Sequence, residues 1–250
     1  IIMAKMWPKL SKPPVEVALF QLKFEMGNTA LSDFLKCDSQ LSKYFPKRND
    51  TIEASINLPS SSIPLGVSKI SGTSNAKMVN YVYYSEDQKC KLTIGEGSLT
   101  YTDERDYIGW DEFERVVCQY LMVFAPILEK HIITRISIRF INQFVLDEFE
   151  DPTVYFKTII SSAENGVPYP LIKYGFRLML DIKEGVYSIV NQNLDKTPEK
   201  YLYIFDIDVL NKSNLIFDIS SIQSVLQELR EVKNDIFFSN VTDKIIELCN

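Results

Sequence analysis

Histidine is almost missing from this chain, with one residue, His131, in 250. Any Ser-His-Asp or Cys-His arrangement would have to be built on it, and its place at the end of a helical pattern suits capping of the last carbonyls instead. Cysteine is sparse too: Cys37, Cys90, Cys118 and Cys249 show no CxxC or other paired spacing, which excludes a disulfide framework and the usual thiolate zinc patterns. No apolar run approaches the ~18 residues of a membrane span. The first residues lack the layout of a signal peptide, so a reducing cytoplasm is the expected compartment. There is no Walker sequence and no nucleophile elbow, and Gly95-Glu96-Gly97 reads as a hairpin turn. No cofactor and no metal is implied. Positive charge is in deficit, 27 Lys and Arg against 33 Asp and Glu for a net charge of -6, which argues against a constitutive nucleic-acid binder and leaves only a local basic surface open.

What is present is an apolar and aromatic supply large enough for a core: 46% hydrophobic residues and 12% aromatic. A chain of this length buries roughly 70 to 75% of its unfolded surface without metal or disulfide. The middle of the sequence is its clearest part. Trp110, Phe113, Val117, Tyr120, Phe124 and Leu128 recur at spacings of three and four, one apolar stripe on a helix, which Pro126 is expected to kink. The following strand sets Ile136, Ile138 and Phe140 against Arg135, Ser137 and Arg139 on alternate faces.

Along the chain, residues 15–24 read as a strand whose apolar parity changes, so that either both faces are covered or a bulge lies near 18–20. Asn28 or Thr29 caps a helix over 30–45. Strands follow at 51–58, 67–73, 78–84, 89–94 and 98–102, an antiparallel meander with a Ser-rich loop at 59–64. After the central helix and the strand at 134–144, Asp151-Pro152 opens a helix to about 162, and strands follow at 172–182, 186–193 and 201–209. Ser220 or Ser221 caps a long last helix carrying Ile222, Val225, Leu226, Leu229, Val232 and Ile236, with a break at 239–240.

The class this implies is α+β. Residues 1–13 form an extension, and 14–130 and 131–250 form two similar β-α-β-β-β-α halves, an internal duplication judged by element order. Together they make one curved antiparallel sheet with helices on one face. The opening strands would meet antiparallel at its centre, with Glu16 facing an arginine. An unpaired guanidinium beneath helices would cost several kcal/mol, so Arg135, Arg139 and Arg177 belong on the uncovered side.

Pro13-Pro14-Val15-Glu16-Val17, the start Tyr107-Ile108-Gly109-Trp110-Asp111-Glu112-Phe113 and the strand Arg135-Ile136-Ser137-Ile138-Arg139-Phe140-Ile141-Asn142 together resemble an uncharacterised, sporadically distributed bacterial family. The likeness spans nearly the whole chain and implies no particular activity. Members of that family often carry histidine in the last helix, where this chain has Arg230.

The candidate binding residues are Arg135, Arg139, Asn142, Arg177 and Glu16. Arginine forks suit a carboxylate or another anion. The plainer reading is cross-strand ion pairing with Glu16, Asp181 or Asp206, with Asn142 satisfying backbone groups. Asp181, Asp206 and Asp208 read either as a solvated sheet face or as ligands for a divalent cation. No catalytic constellation is complete. The expectation is a non-enzymatic cytoplasmic interaction module acting through a protein partner, without membrane or nucleic acid. The alternative is an enzyme or small-anion-binding protein using the open sheet face around Arg135, Arg139 and Arg177.

Overall fold

In a computed structural model of the protein, residues 7–56, 74–146, 152–158, 172–212 and 214–250 are described. The strand expected at 67–73, the loop at 59–64 and residues 151 and 159–162 of the helix expected after Asp151 lie outside them.

The elements are β1 (Val15–Phe24), α1 (Asp38–Leu41), β2 (Lys47–Ile56), β3 (Ser74–Tyr84), β4 (Cys90–Gly95), β5 (Ser98–Asp103), α2 (Trp110–Leu128), β6 (Ile132–Leu146), β7 (Lys173–Lys183), β8 (Val186–Lys196), β9 (Tyr201–Asn211), β10 (Leu215–Ile216), α3 (Ile219–Asn240) and α4 (Asp243–Leu248). All strands among the described residues join one antiparallel sheet in the order β2-β3-β4-β5-β1-β6-β9-β8-β7, with β10 on β6. The class is α+β. β1 and β6 meet antiparallel at its middle, Phe20 opposite Ile138 and Ala18 opposite Phe140. Both halves run strand, helical segment, further strands, closing helix, but the first contributes four strands after its helical segment and the second three long strands and the short β10. Their origin as repeats is not established by this order.

One sheet face carries the core because strand residues alternate sides. On β1 that face is Ala18, Phe20, Leu22 and Phe24, and on β6 it is Ile136, Ile138, Phe140, Asn142, Phe144 and Leu146, all buried. Ring contacts place three helical pieces on it: Phe34 on Phe24, Phe113 of α2 on Phe140, and Phe237 of α3 on Phe205. Burying one such ring contributes roughly 1.5 to 3 kcal/mol. Arg135, Arg139 and Arg177 have the opposite parity, away from the helices.

Several local expectations are corrected. Residues 30–45 form a 3-10 turn (Leu31–Cys37) and the single turn of α1, not one long helix, and neither Asn28 nor Thr29 caps it: the Asp33 carboxylate accepts the Ala30 N–H at 2.9 Å. The irregularities of β1 lie at Val15/Val17 and Lys23/Phe24, not mid-strand. Pro126 sits in the last turn of α2, which runs on to Leu128. His131 caps no carbonyl with its ring: its backbone N–H donates to Leu128 O, while both ring nitrogens are buried without partners and the ring meets Phe24 edge-on. After Pro152–Val154, Phe156 leaves the helical path and bridges Val241, stacked 3.7 Å from the Tyr203 ring. The cap of α3 is Asp218, two or three residues earlier than the expected serines.

Candidate functional site

The five expected binding residues do not form one site. On the open face, Arg139 donates Nε to Asp206 Oδ1 at 2.8 Å and Nη2 to Oδ2 at 2.7 Å, and Asn191 Nδ2 adds a third bond to Asp206 at 2.9 Å. A guanidinium so engaged has its fork filled from within. Arg135 donates Nη2 to Gln21 Oε1, whose amide donates to Thr100 Oγ1 at 3.0 Å, and its own Nε is buried without a partner. Arg177 is exposed on β7 in register with Asn191.

Glu16 meets no arginine. It is exposed at the register shift opening β1, and the residue opposite Arg139 is Leu19. Asn142 is on the other face, 3% exposed, donating to Phe205 O at 2.9 Å. The aspartates do not converge either. Asp206 is taken by Arg139, while Asp208 lies in register with Arg139 and its carboxyl is pushed up by burial against the pull of Arg139 and Arg135. Asp181 stands exposed on β7, opposite Tyr187.

A roomy site lies on the helix side. A cleft of about 940 Å³ opens where the N-terminal segment, the loop before α2, the first turns of α2 and the second half of α3 come together, with Asn142 of β6 in its wall. Its size is that of a small-molecule site. The N-terminal wall is fixed: Trp7 stacks on Phe238 with centroids 5.2 Å apart, Lys12 N–H donates to Cys249 O at 2.8 Å, and Gln143 N–H donates to Pro14 O at 2.8 Å. The loop ends at Gly109, whose φ of +125° only glycine adopts readily, and this turns the chain from Tyr107 into Trp110.

Two cations of α3 face into the cleft, three residues apart and so on one side of the helix. The Arg230 guanidinium lies 5.5 Å from the centroid of Trp110, and Lys233 Nζ lies 4.5 Å from that of Phe140. Neither makes an ion pair among the described residues. A network sets the wall: Trp110 Nε1 donates to Glu114 Oε2 at 3.0 Å, Gln227 Nε2 to the same oxygen at 2.6 Å, and Arg230 Nη1 to Gln227 Oε1 at 3.4 Å. Arg115, at the edge, is held by Glu112 at 2.6 Å. Tyr107 packs edge-on to Phe140, and burial raises its hydroxyl while Arg230 opposes that rise. Burial, and then the neighbouring Arg230 charge, pull the Lys233 ammonium down to about 7.

Sequence reading missed Lys233 and took Trp110 as core stripe alone. The signal was available. Ile222, Leu226, Leu229, Phe237 and Asn240 are the buried positions of α3, and Lys233 falls at the open place between Leu229 and Phe237 in that spacing. Asn142 breaks the inward pattern of β6 in the same way, and both line this cleft. Comparison with family models, curated proteins and solved structures finds no match, so the site is read from its own chemistry.

Proposed function

We propose that the protein is a binding protein whose cleft takes a small organic anion with a flat or aromatic body. The observation that carries this is the pair of basic groups Arg230 and Lys233, the first a fixed cation and the second able to take up a proton, without carboxylate partners among the described residues and poised over the rings of Trp110 and Phe140 at the wall of a cleft of about 940 Å³. Unpaired cations held in a partly dry cleft are costly unless a ligand anion meets them. Arginine provides the planar fork that carboxylate and phosphate fit, and the aromatic walls cover an apolar body. The test is a thermal-shift panel of benzoate, phenyl phosphate, citrate and inorganic phosphate. The aromatic anions raise the melting temperature of the wild type, and Arg230→Gln loses that rise. An equal rise in Arg230→Gln contradicts the proposal.

A second reading, the holding of a protein partner, is favoured by β7, which ends the strand order among the described residues and leaves Met179 74% exposed on the uncovered face. An edge strand of this kind accepts a further strand. Its test is charge insertion at Met179→Lys, which abolishes capture of a partner by this edge and leaves phenyl phosphate binding unchanged.

A further inference from the structure

Lys233 does more in the cleft than supply charge. It sits on a rigid helix in a position that packing would otherwise fill with an apolar side chain. Its Nζ faces the Phe140 ring and meets no carboxylate among the described residues. Arg230, one turn earlier, is a second cation beside it. A desolvated amine next to another positive charge is the arrangement that keeps lysine neutral and nucleophilic, and Arg230 remains free to hold the anionic end of whatever enters.

We propose that Lys233 is a carbonyl-condensing amine, forming an imine with an aldehyde or ketone that carries an anionic group and a flat body. This rests on the reading of the cleft as an organic-anion site. The neutral Nζ attacks the carbonyl carbon, a C–N bond forms, and the carbonyl π pair moves to oxygen, which takes a proton from nitrogen. The hydroxyl then takes a second proton from solvent, the C–O bond breaks as water leaves, the nitrogen lone pair closes the C=N bond, and the resulting iminium returns its N–H proton to solvent to give the imine. No oxidant or reductant is consumed.

The groups lining the same cleft set its pH response. These are Lys9 from the N-terminal segment, Arg230 and Glu231 from α3, Tyr107 from the loop, and Asp111, Glu112 and Arg115 from α2. Arg115 is neutralised by Glu112. Arg230 acts against the Lys233 proton, and Tyr107 keeps its own proton through the neutral range because its hydroxyl is raised. The reactive fraction of Lys233 therefore rises through about pH 7, whereas ordinary lysines become reactive only near pH ~10.4.

The experiment uses the full chain with pyridoxal 5′-phosphate as probe, borohydride to trap the imine, and peptide mass mapping. One dominant adduct on Lys233 is expected, forming at neutral pH on the order of a hundredfold faster than on surface lysines and levelling off above pH 7 to 8. Lys233→Met and Lys233→Arg abolish it while melting cooperatively. Adducts spread over surface lysines, a dominant adduct at Lys9 on the cleft rim, or undiminished labelling of Lys233→Arg overturns the proposal. Pyridoxine 5′-phosphate, with an alcohol in place of the aldehyde, separates the two claims. Saturable quenching of tryptophan by this alcohol without trapping of the aldehyde refutes the reactive amine and leaves the anion cleft standing. Neither quenching nor trapping refutes both.

Discussion

Arg139 and Asp206 stand on neighbouring strands without being opposite one another: Arg139 is in register with Asp208, and Asp206 with Ile141, so their two-bond pair runs diagonally across the β6–β9 ladder. The Asp206 side chain is 6% exposed and the Arg139 side chain 44%. Removing the arginine leaves a buried carboxylate with Asn191 as its remaining side-chain donor. Arg139→Ala therefore destabilises the fold by about 2 kcal/mol, more than an exposed pair would. Arg177→Ala, on an exposed residue, stays within about 0.5 kcal/mol. Urea unfolding of both variants checks this, and an Arg139→Ala midpoint equal to that of the wild type contradicts it.

Lys233 should weaken the fold at low pH. Its folded value of about 7 lies below the ordinary 10.5, so between those values the unfolded chain binds a proton that the folded chain does not. Stability from this group rises as pH climbs from about 7 toward 10.5. Below pH 7 both states are protonated and the burial cost is fully expressed. Lys233→Met is accordingly more stable than the wild type at pH 6 by roughly 1 to 3 kcal/mol, and the gap closes toward pH 10. Denaturant midpoints at several pH values measure it. A gap independent of pH contradicts it.

Asp218 anchors the start of α3 through a single oxygen, which accepts from Ser221 N–H at 2.8 Å, Ser221 Oγ at 2.7 Å and Ser220 Oγ at 2.6 Å. These bonds hold its carboxyl down at about 2. A depressed carboxyl contributes stability that is present above the ordinary 3.8 and lost as pH falls through about 2. Asp218→Ala lowers the melting temperature at pH 7, and its difference from the wild type shrinks as pH approaches 2. A difference that persists unchanged at pH 2 runs against this cap.

The sheet was legible because periodicity two reports burial directly. Ile136, Ile138 and Phe140 face the core and Arg135 and Arg139 do not, as their alternation requires. The stripe of α2 was legible for the same reason at period 3.6. Caps were less so, since Asp218, Ser220 and Ser221 are all good candidates and only the backbone geometry selects among them. The pairing of Glu16 failed because the strand register is not legible from the alternation alone: Arg139 stands opposite Leu19 and Arg135 opposite Lys23, three and seven residues along β1 from Glu16. The cleft was hidden because it joins residues from the N-terminal segment, β6, α2 and α3. Their nearness is a product of tertiary packing, and the sequence marked it only as two polar interruptions, Asn142 and Lys233, on otherwise apolar faces.

Tryptophan fluorescence tests the cleft most directly, because the chain has two tryptophans and both of them, Trp7 and Trp110, line it. Titration with phenyl phosphate, excited at the red edge of tryptophan absorption, should give a saturable change in emission for the wild type. Affinity should be at least about tenfold weaker, a loss of ~1.4 kcal/mol, in the double variant Arg230→Gln, Lys233→Met that still unfolds cooperatively. Wild-type affinity in the double variant, or no saturable change at millimolar phenyl phosphate, would contradict the account of this cleft as an organic-anion site.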